Sequence, residues 1–560
     1  MPTRFLCLTA LAVVPSVLSA ATLEHVFDGG HMPGEQTIPW NYHSQPGTKV
    51  SVDNGVLRVV DDGTAKGQLQ SISFPWSADP DGEARVDADV KVLRCSGPAG
   101  VVLLAANGKY EAAITLYPDH IDAPSLGASA PARLDDAFHR ITMVLRGCDL
   151  RILVDGRTVI DLAGKWNRPA HEGRNVISFG SISSAATGEA LWRCVRGVTT
   201  YPDVTPYPGA EHHVVYRQPG VYACFPSLAK TPEGWFVARF GTRALRSHID
   251  PTGGSASRIS KDGGRTWTEP PGPFFASASD VVRADGNLAL AGAVGWRHVP
   301  ESRRVEFEAK GIHVRPSMKG MVAYASGARF CVTKPDGKSS IKPWTPIEVP
   351  PHQVMMGYNQ AACLNLGDGV RLVSIYGDTP DNRRDAYALR TTNDGDSWAC
   401  LAIAHGEPDL GFNETALGTN ATGHVIALMR TAETPRDRGF LYQSVSTDGG
   451  QTWSAPRNTG MWGYPAHILT LPDGRLIATY GYRRAPMGIR ATISRDGGRT
   501  WDTNGTMILR ADAHGNGSDL GYPVSALVEN GTVLTVYYFN DAENVTHIAA
   551  TRWQPPALNP

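Results

Sequence analysis

The sequence predicts an all-β protein built as a β-sandwich (jelly-roll) domain followed by a six-bladed β-propeller. Three observations predict it. Short runs of alternating apolar and polar residues fill roughly the first 200 positions. One eight-residue turn recurs four times after residue 205. A longer pattern, an aromatic opening two apolar runs around a glycine turn, recurs between those turns.

Composition narrows the function classes. The 560 residues carry a formal net charge of −1, with 19% charged residues. So balanced a chain offers no general attraction to nucleic acid or to an anionic membrane surface. Its 13 Trp and 18 Tyr suit a large core and sugar-stacking surfaces. The N-terminus reads as an export signal over residues 1–21. Arg4 precedes an apolar stretch from Phe5 to Leu18, and Ser19 and Ala21 stand at −3 and −1 before Thr22. Elsewhere no run approaches the roughly 20 apolar residues of a membrane helix, so membrane insertion is not expected and the mature chain is expected to be secreted or periplasmic. Loss of Cys7 leaves seven cysteines, without CxxC or metal-ligand spacing. One disulfide among Cys95, Cys148 and Cys194 fits an exported chain. No cofactor or metal is implied.

The elements follow in order. Runs at 56–60, 84–93, 100–106, 111–117, 139–147, 150–156 and 176–180 read as half-buried strands, with an Asp155-Gly156 hairpin turn. They fall in a domain expected over 22–200. The Pro-rich stretch YPDVTPYPGAEHH (201–213) reads as a linker, leaving 214–560 for the propeller. The recurring turns are SKDGGRTW (Ser260–Trp267), TTNDGDSW (Thr391–Trp398), STDGGQTW (Ser446–Trp453) and SRDGGRTW (Ser494–Trp501), with a degenerate copy in 333–344. In each, an Asp or Asn carbonyl group can collect backbone N–H groups, glycine takes positive φ, and the Trp turns inward. The longer pattern runs through 225–240, 358–377, 412–430, 464–482 and 522–538, and reads as the inner strand pair of each blade. At about 40–50 residues per blade, the roughly 350 residues of this part suit six blades.

The turns resemble the Asp boxes of the sialidase superfamily, of form S-x-D-x-G-x-T-W. The first 200 residues resemble a laminin-G or concanavalin-like jelly roll. The sialidase resemblance implies an exo-glycosidase removing terminal sialic acid or a related acidic sugar from glycans. It also implies Asp boxes that are structural and lie away from the active site. A Tyr nucleophile avoids setting a second carboxylate against that of the substrate, and a Glu takes its proton. Three Arg clamp the substrate carboxylate, and an Asp is the general acid/base.

Carried onto this chain, Glu414 in FNETAL matches the Glu, and Arg430, ending HVIALMR, matches one triad Arg. Arg490 stands where another triad Arg falls, with Arg483 and Arg484 competing for that role. Tyr522 matches the nucleophile. The first blade departs from the pattern. Cys224 occupies the first Arg position, leaving Arg217 or Arg243 to supply the clamp. Gly241 replaces the acidic member of the motif around Arg243. Asp250 falls near the expected acid, with His248 two residues earlier. Because a thiol cannot replace a guanidinium, the sugar need not be a standard sialoside. Two other readings stay open: a polysaccharide lyase or uronic-acid-directed hydrolase using His248 and a Tyr, and a non-catalytic carbohydrate-binding propeller.

Overall fold

The computed structural model describes residues 21–557. Excepted are segments 37–39, 43–47, 64–69, 245–252, 271–280, 283–287, 317–319, 334–338, 342–353, 357–362, 432–438 and 514–518, with some single residues and pairs. The chain divides into two compact units, one ending at Val204 and one beginning at Thr205, apart from 37–39 and 171–173, which group with the second. The expected export signal lies outside the described residues. Among those described, no helix is long and apolar enough to cross a membrane.

The first unit holds two antiparallel sheets of eight and seven strands. Every run read as a strand forms one: Val56–Asp61, Glu83–Cys95, Val102–Asn107, Glu111–Leu116, His139–Arg146, Asp149–Val154 and Asn175–Ser181. Period-2 alternation explains this. The pattern along His139–Arg146 buries Ile141, Met143 and Leu145 and leaves Arg146 exposed. Asp155 and Gly156 take φ of 48° and 82°, as a tight hairpin between two twisted strands requires. Rings lock the two inner faces together. Phe179 of the seven-stranded sheet meets Phe27 and Trp192 of the other at 5.0 and 4.8 Å. Cys95, Cys148 and Cys194 are all free, against the disulfide expected. Register separates two of them: Cys194 lies opposite Asp89, six positions along the strand from Cys95.

The second unit is a ring of sheets. Its ends are joined by one sheet in which Glu211–Tyr216 pairs with Thr546–Trp553, which continues to Val533–Asn540 and Gly521–Leu527. Among the described residues five sheets have four or more strands, against the six full blades expected. The sheet of Tyr222–Lys230, Phe236–Arg243 and Gly254–Ser260 has three. There the chain returns from its Asp box to make a single bridge, Ile259 to Thr268, instead of a described fourth strand. A further small sheet (Trp296–Pro300, Met321–Ala325, Arg315–Pro316) is inserted between two strands of a blade, Leu288–Ala293 and Ala328–Thr333.

The Asp boxes close the turns as their residues dictate. In the first, Asp262 Oδ1 accepts from the backbone N–H groups of Arg265 (3.1 Å) and Thr266 (2.9 Å), and Oδ2 from the Thr266 hydroxyl (2.6 Å). Burial works against the Asp262 charge, but these donors hold its carboxyl down to about 2. Asn393 does the same work uncharged, accepting from Ser397 N–H at 3.0 Å and donating to the Ser397 hydroxyl at 3.0 Å. The boxes also join neighbouring blades. Gly264 (φ 93°) lies so close to Leu534 of the ring-closing sheet that a Cβ would fall 2.5 Å from it, and Trp501 donates to Gln443 at 2.7 Å.

Two outcomes follow. Gly264→Ala is expected to cost about 1–3 kcal/mol in urea unfolding, from left-handed strain and overpacking together. Gly234→Ala (φ 83°, open space) is expected to cost less, since it meets only the strain. In the first unit, burial pushes His25 down to about 4, from an ordinary value of 6.5. The neutral ring is the form the fold prefers. This stability is therefore complete above pH 6.5 and is lost as pH falls toward 4, about 3 kcal/mol in all. His25→Phe should flatten that acid limb in thermal unfolding of the first unit.

Candidate active site

Each blade's first strand begins on the face opposite the Asp boxes, because the boxes follow the third strand of an antiparallel meander. The openings of these first strands, and the ends of the second strands beside them, carry the residues that converge. Three blades share one irregularity there. Residues Cys224 to Ser227 span the partners Gly241 to Arg239, Phe412 to Thr415 span Thr431 to Met429, and Gly521 to Val524 span Tyr538 to Val536. Each has one extra residue on the first strand, a β-bulge that re-aims side chains. The bulges carry Phe225, Glu414 and Tyr522. Phe225 and Tyr522 also take φ of 53° and 48°, strained for aromatic residues, at about 1–3 kcal/mol each.

The bulges bring distant residues into contact. The Tyr522 hydroxyl donates to Glu414 Oε1 across 108 positions of sequence. Arg430 Nη1 donates to Glu414 Oε2 at 2.7 Å. The Arg430 guanidinium also lies 4.2 Å from the Tyr464 ring centre. Burial and the Glu414 carboxylate raise the Tyr522 phenol well above its ordinary value of 10, against the pull of Arg430 and Arg483. Burial opposes the Arg430 charge, yet Glu414, Tyr522 and Tyr464 hold it firmly protonated. Tyr522 is therefore a neutral phenol whose proton already points at its acceptor.

Arg483 completes the cluster from just beyond the end of Leu476–Tyr482. It donates from Nε to the Leu520 carbonyl (3.0 Å) and from Nη2 to the Tyr538 hydroxyl (3.2 Å), with Tyr464 and Tyr522 at 5.3 and 6.0 Å. Close backbone packing makes this possible: a Cβ on Gly481 would lie 3.0 Å from Gly521 Cα. On the other side, Phe225 meets Tyr522 edge-on at 4.8 Å, and Arg243 lies 5.6 Å from the Phe225 ring centre. Tyr522, Glu414, Arg430, Arg483, Arg243 and Phe225 are all partly exposed, whereas Cys224 is fully buried. Burial pushes the Cys224 thiol up to about 12, so it is a neutral group and not a nucleophile.

The structure thus gathers Tyr522, Glu414, Arg430 and, at the edge, Arg243. It does not bring in Arg490, which is buried and spends its donors on the carbonyls of Ile489, Arg510 and Pro486. Burial lowers Arg490 to about 10. Arg217 also lies elsewhere, paired with Asp541 (2.6 Å) and Glu543 (2.7 Å). Asp250 and His248 lie outside the described residues. Sequence reasoning did not find Asp519, Tyr222 and Tyr538, which line the same cluster. No repeat position marks Asp519.

Fold and repeats together define an all-β protein with a β-propeller. Residues 345–535 match the family described as BNR repeat-like domain. No curated protein matches the chain. Among solved structures, a protein of unknown function from Dyadobacter fermentans is 26% identical, with a TM-score of 0.51, over 62% of this chain and 99% of that one. The Hadza microbial sialidase Hz136 is 15% identical (TM-score 0.42; 88% and 97% covered). The Penicillium chrysogenum alpha-L-arabinanase complexed with arabinobiose is 12% identical (TM-score 0.40; 62% and 99% covered).

The two arginines are separated by ligand binding. Arg483→Met should weaken binding of a carboxylate-bearing sugar about tenfold or more in calorimetry, and should also lose about 1 kcal/mol of stability, because the Leu520 carbonyl and the Tyr538 hydroxyl lose their donor. Arg490→Met should leave that binding near wild type and lose about 1–3 kcal/mol of stability, because buried carbonyls lose their donor.

Proposed function

We propose that the chain is an exported exo-glycosidase that removes a terminal acidic sugar, sialic acid or a relative of it, from glycans by a retaining mechanism. The observation that carries this is the hydrogen bond from Tyr522 to Glu414, with Arg430 paired to the same carboxylate. In the first step Tyr522 Oη attacks the anomeric carbon while Glu414 Oε1 takes the phenolic proton. A free phenolate is not required, which suits a phenol held well above its ordinary value. Asp250 is assigned as the acid that protonates the leaving oxygen. Water then releases the sugar from Tyr522 as the two proton transfers run in reverse.

Charge favours an anionic sugar. Among the described residues of the cluster, Arg243, Arg430 and Arg483 face Glu414 and Asp519, leaving one surplus positive charge. A carboxylate nucleophile in this cluster would cancel that surplus, whereas a phenol keeps it for the substrate. The contact between Tyr522 and Glu414 also weighs against a non-catalytic propeller, which has no need of a phenol aimed at a carboxylate. We read the first unit as a concanavalin- or laminin-G-like sandwich and residues 1–21 as an export signal. The two packed antiparallel sheets support the former, and the apolar run before Ser19 the latter.

Tyr522→Phe and Glu414→Gln are each expected to cut turnover of aryl glycosides of acidic sugars by about 10²–10⁴-fold, with the far-ultraviolet circular dichroism spectrum unchanged. Near-normal turnover in both variants would exclude the mechanism. Products with a new double bond, seen by ultraviolet absorbance, would point to a lyase.

A further inference from the structure

We infer that Asp519 is a positioning residue that sets the direction of a hydrogen-bond chain ending on Arg483, and through it orients the guanidinium that meets the substrate's anionic group. This rests on the reading of the site as one for acidic sugars. Asp519 stands three residues before Tyr522 and is only partly buried. Its two oxygens divide between two buried phenols: the Tyr538 hydroxyl donates to Oδ1 at 2.7 Å, and the Tyr222 hydroxyl donates to Oδ2 at 2.7 Å. Its backbone carbonyl accepts from Asn540 Nδ2 at 2.9 Å, which fixes the segment against Val533–Asn540.

Direction follows from the chemistry of the groups. An ionised carboxylate only accepts, so both phenol protons are committed to Asp519. The Tyr538 oxygen is then left with lone pairs, and Arg483 Nη2 donates to it at 3.2 Å. Arg483 Nε is tied meanwhile to the Leu520 carbonyl, the residue next to Asp519. Asp519 and its neighbour thus hold the guanidinium at two points, one directly and one through a phenol. The plane so fixed leaves Arg483 beside both Tyr464 and Tyr522, where the sugar must lie for Tyr522 to reach it. Asn at 519 has the same size but one acceptor and one donor. It would donate to one of the two phenols and release the direction of the chain. Tyr222 shares the carboxylate but is off the path to Arg483, which separates positioning from mere packing.

The test uses the full-length protein and two readouts. The first is the kinetics on an aryl glycoside of sialic acid. Asp519→Asn and Tyr538→Phe are each expected to raise KM about tenfold while kcat falls less than threefold, and the double variant is expected to equal the single ones. Tyr222→Phe should raise KM less than threefold. The second needs no substrate. Labelling of Arg483 by phenylglyoxal, read by peptide mass spectrometry, should run at least fivefold faster in Asp519→Asn and Tyr538→Phe than in wild type, and near the wild-type rate in Tyr222→Phe. Wild-type labelling of Arg483 in both Asp519→Asn and Tyr538→Phe overturns the proposal, as do equal effects of all three variants. A wild-type enzyme inert on every acidic glycoside, with the labelling pattern as expected, removes the functional reading and leaves the positioning role standing.

Discussion

The site depends on one contact, the hydrogen bond between a phenol and a carboxylate that lie 108 residues apart in sequence. The contact needs a closed ring, because Tyr522 belongs to the sheet that joins the two ends of the propeller. It needs the shared bulges, because an unbroken strand would turn Glu414 and Tyr522 along the pleat instead of toward each other. It also needs Arg430. A carboxylate that is only 12% exposed and hydrogen-bonded to a phenol carries a desolvation cost that a paired guanidinium offsets. Arg430 in turn lies over Tyr464, so an aromatic opening a third blade supports the pair. Three blades therefore contribute to a single proton position.

The opposite ends of the strands carry a different kind of chemistry. Around each Asp or Asn the partners are local, within four residues, and the strain sits on glycines. Among the described residues, both carboxylate oxygens of Asp262, Asp448 and Asp496 are already filled by donors of their own turns. On the converging face the strain sits on Phe225 and Tyr522, and partly exposed charges meet across blades. Strain on residues that glycine could replace without loss of shape is evidence that the side chain itself is needed. The two faces thus separate what holds the ring from what the ring is for.

This division also explains what was legible in the sequence. The Asp boxes and the strands of the first unit were readable because their causes are local, a turn in one case and period-2 burial in the other. That Tyr522, Glu414 and Arg430 come together was readable from the family resemblance, which gives each a fixed place within the inner-strand repeat. The choice between Arg483 and Arg490 was not. Arg490 lies within the strand Gly488–Ser494 and is buried against three carbonyls, whereas Arg483 has just left the strand Leu476–Tyr482 and reaches the Leu520 carbonyl and the Tyr538 hydroxyl beside Tyr522. One residue of register decides that, and spacing from the box does not reveal it. Asp519 was invisible for a stronger reason: its partners Tyr222 and Tyr538 lie 297 and 19 residues away, and only closure of the ring brings them together. The blade count differed at the blade of the first box, Ser260–Trp267, where the turn is complete but the described return is a single bridge, something the box sequence does not reveal.

Cys224 shows how such a site can lose a charge and keep its design. A guanidinium at that buried position would need a partner for its charge and several acceptors, and the nearest carboxylate, Asp519, already takes one phenol on each oxygen. A neutral thiol asks for little. On the proposed reading, the charge offered to an anionic sugar is carried instead by groups at strand ends, Arg243 beside Phe225 and Arg483 beside Tyr522, and Arg483 offsets its burial by donating to the Leu520 carbonyl and the Tyr538 hydroxyl.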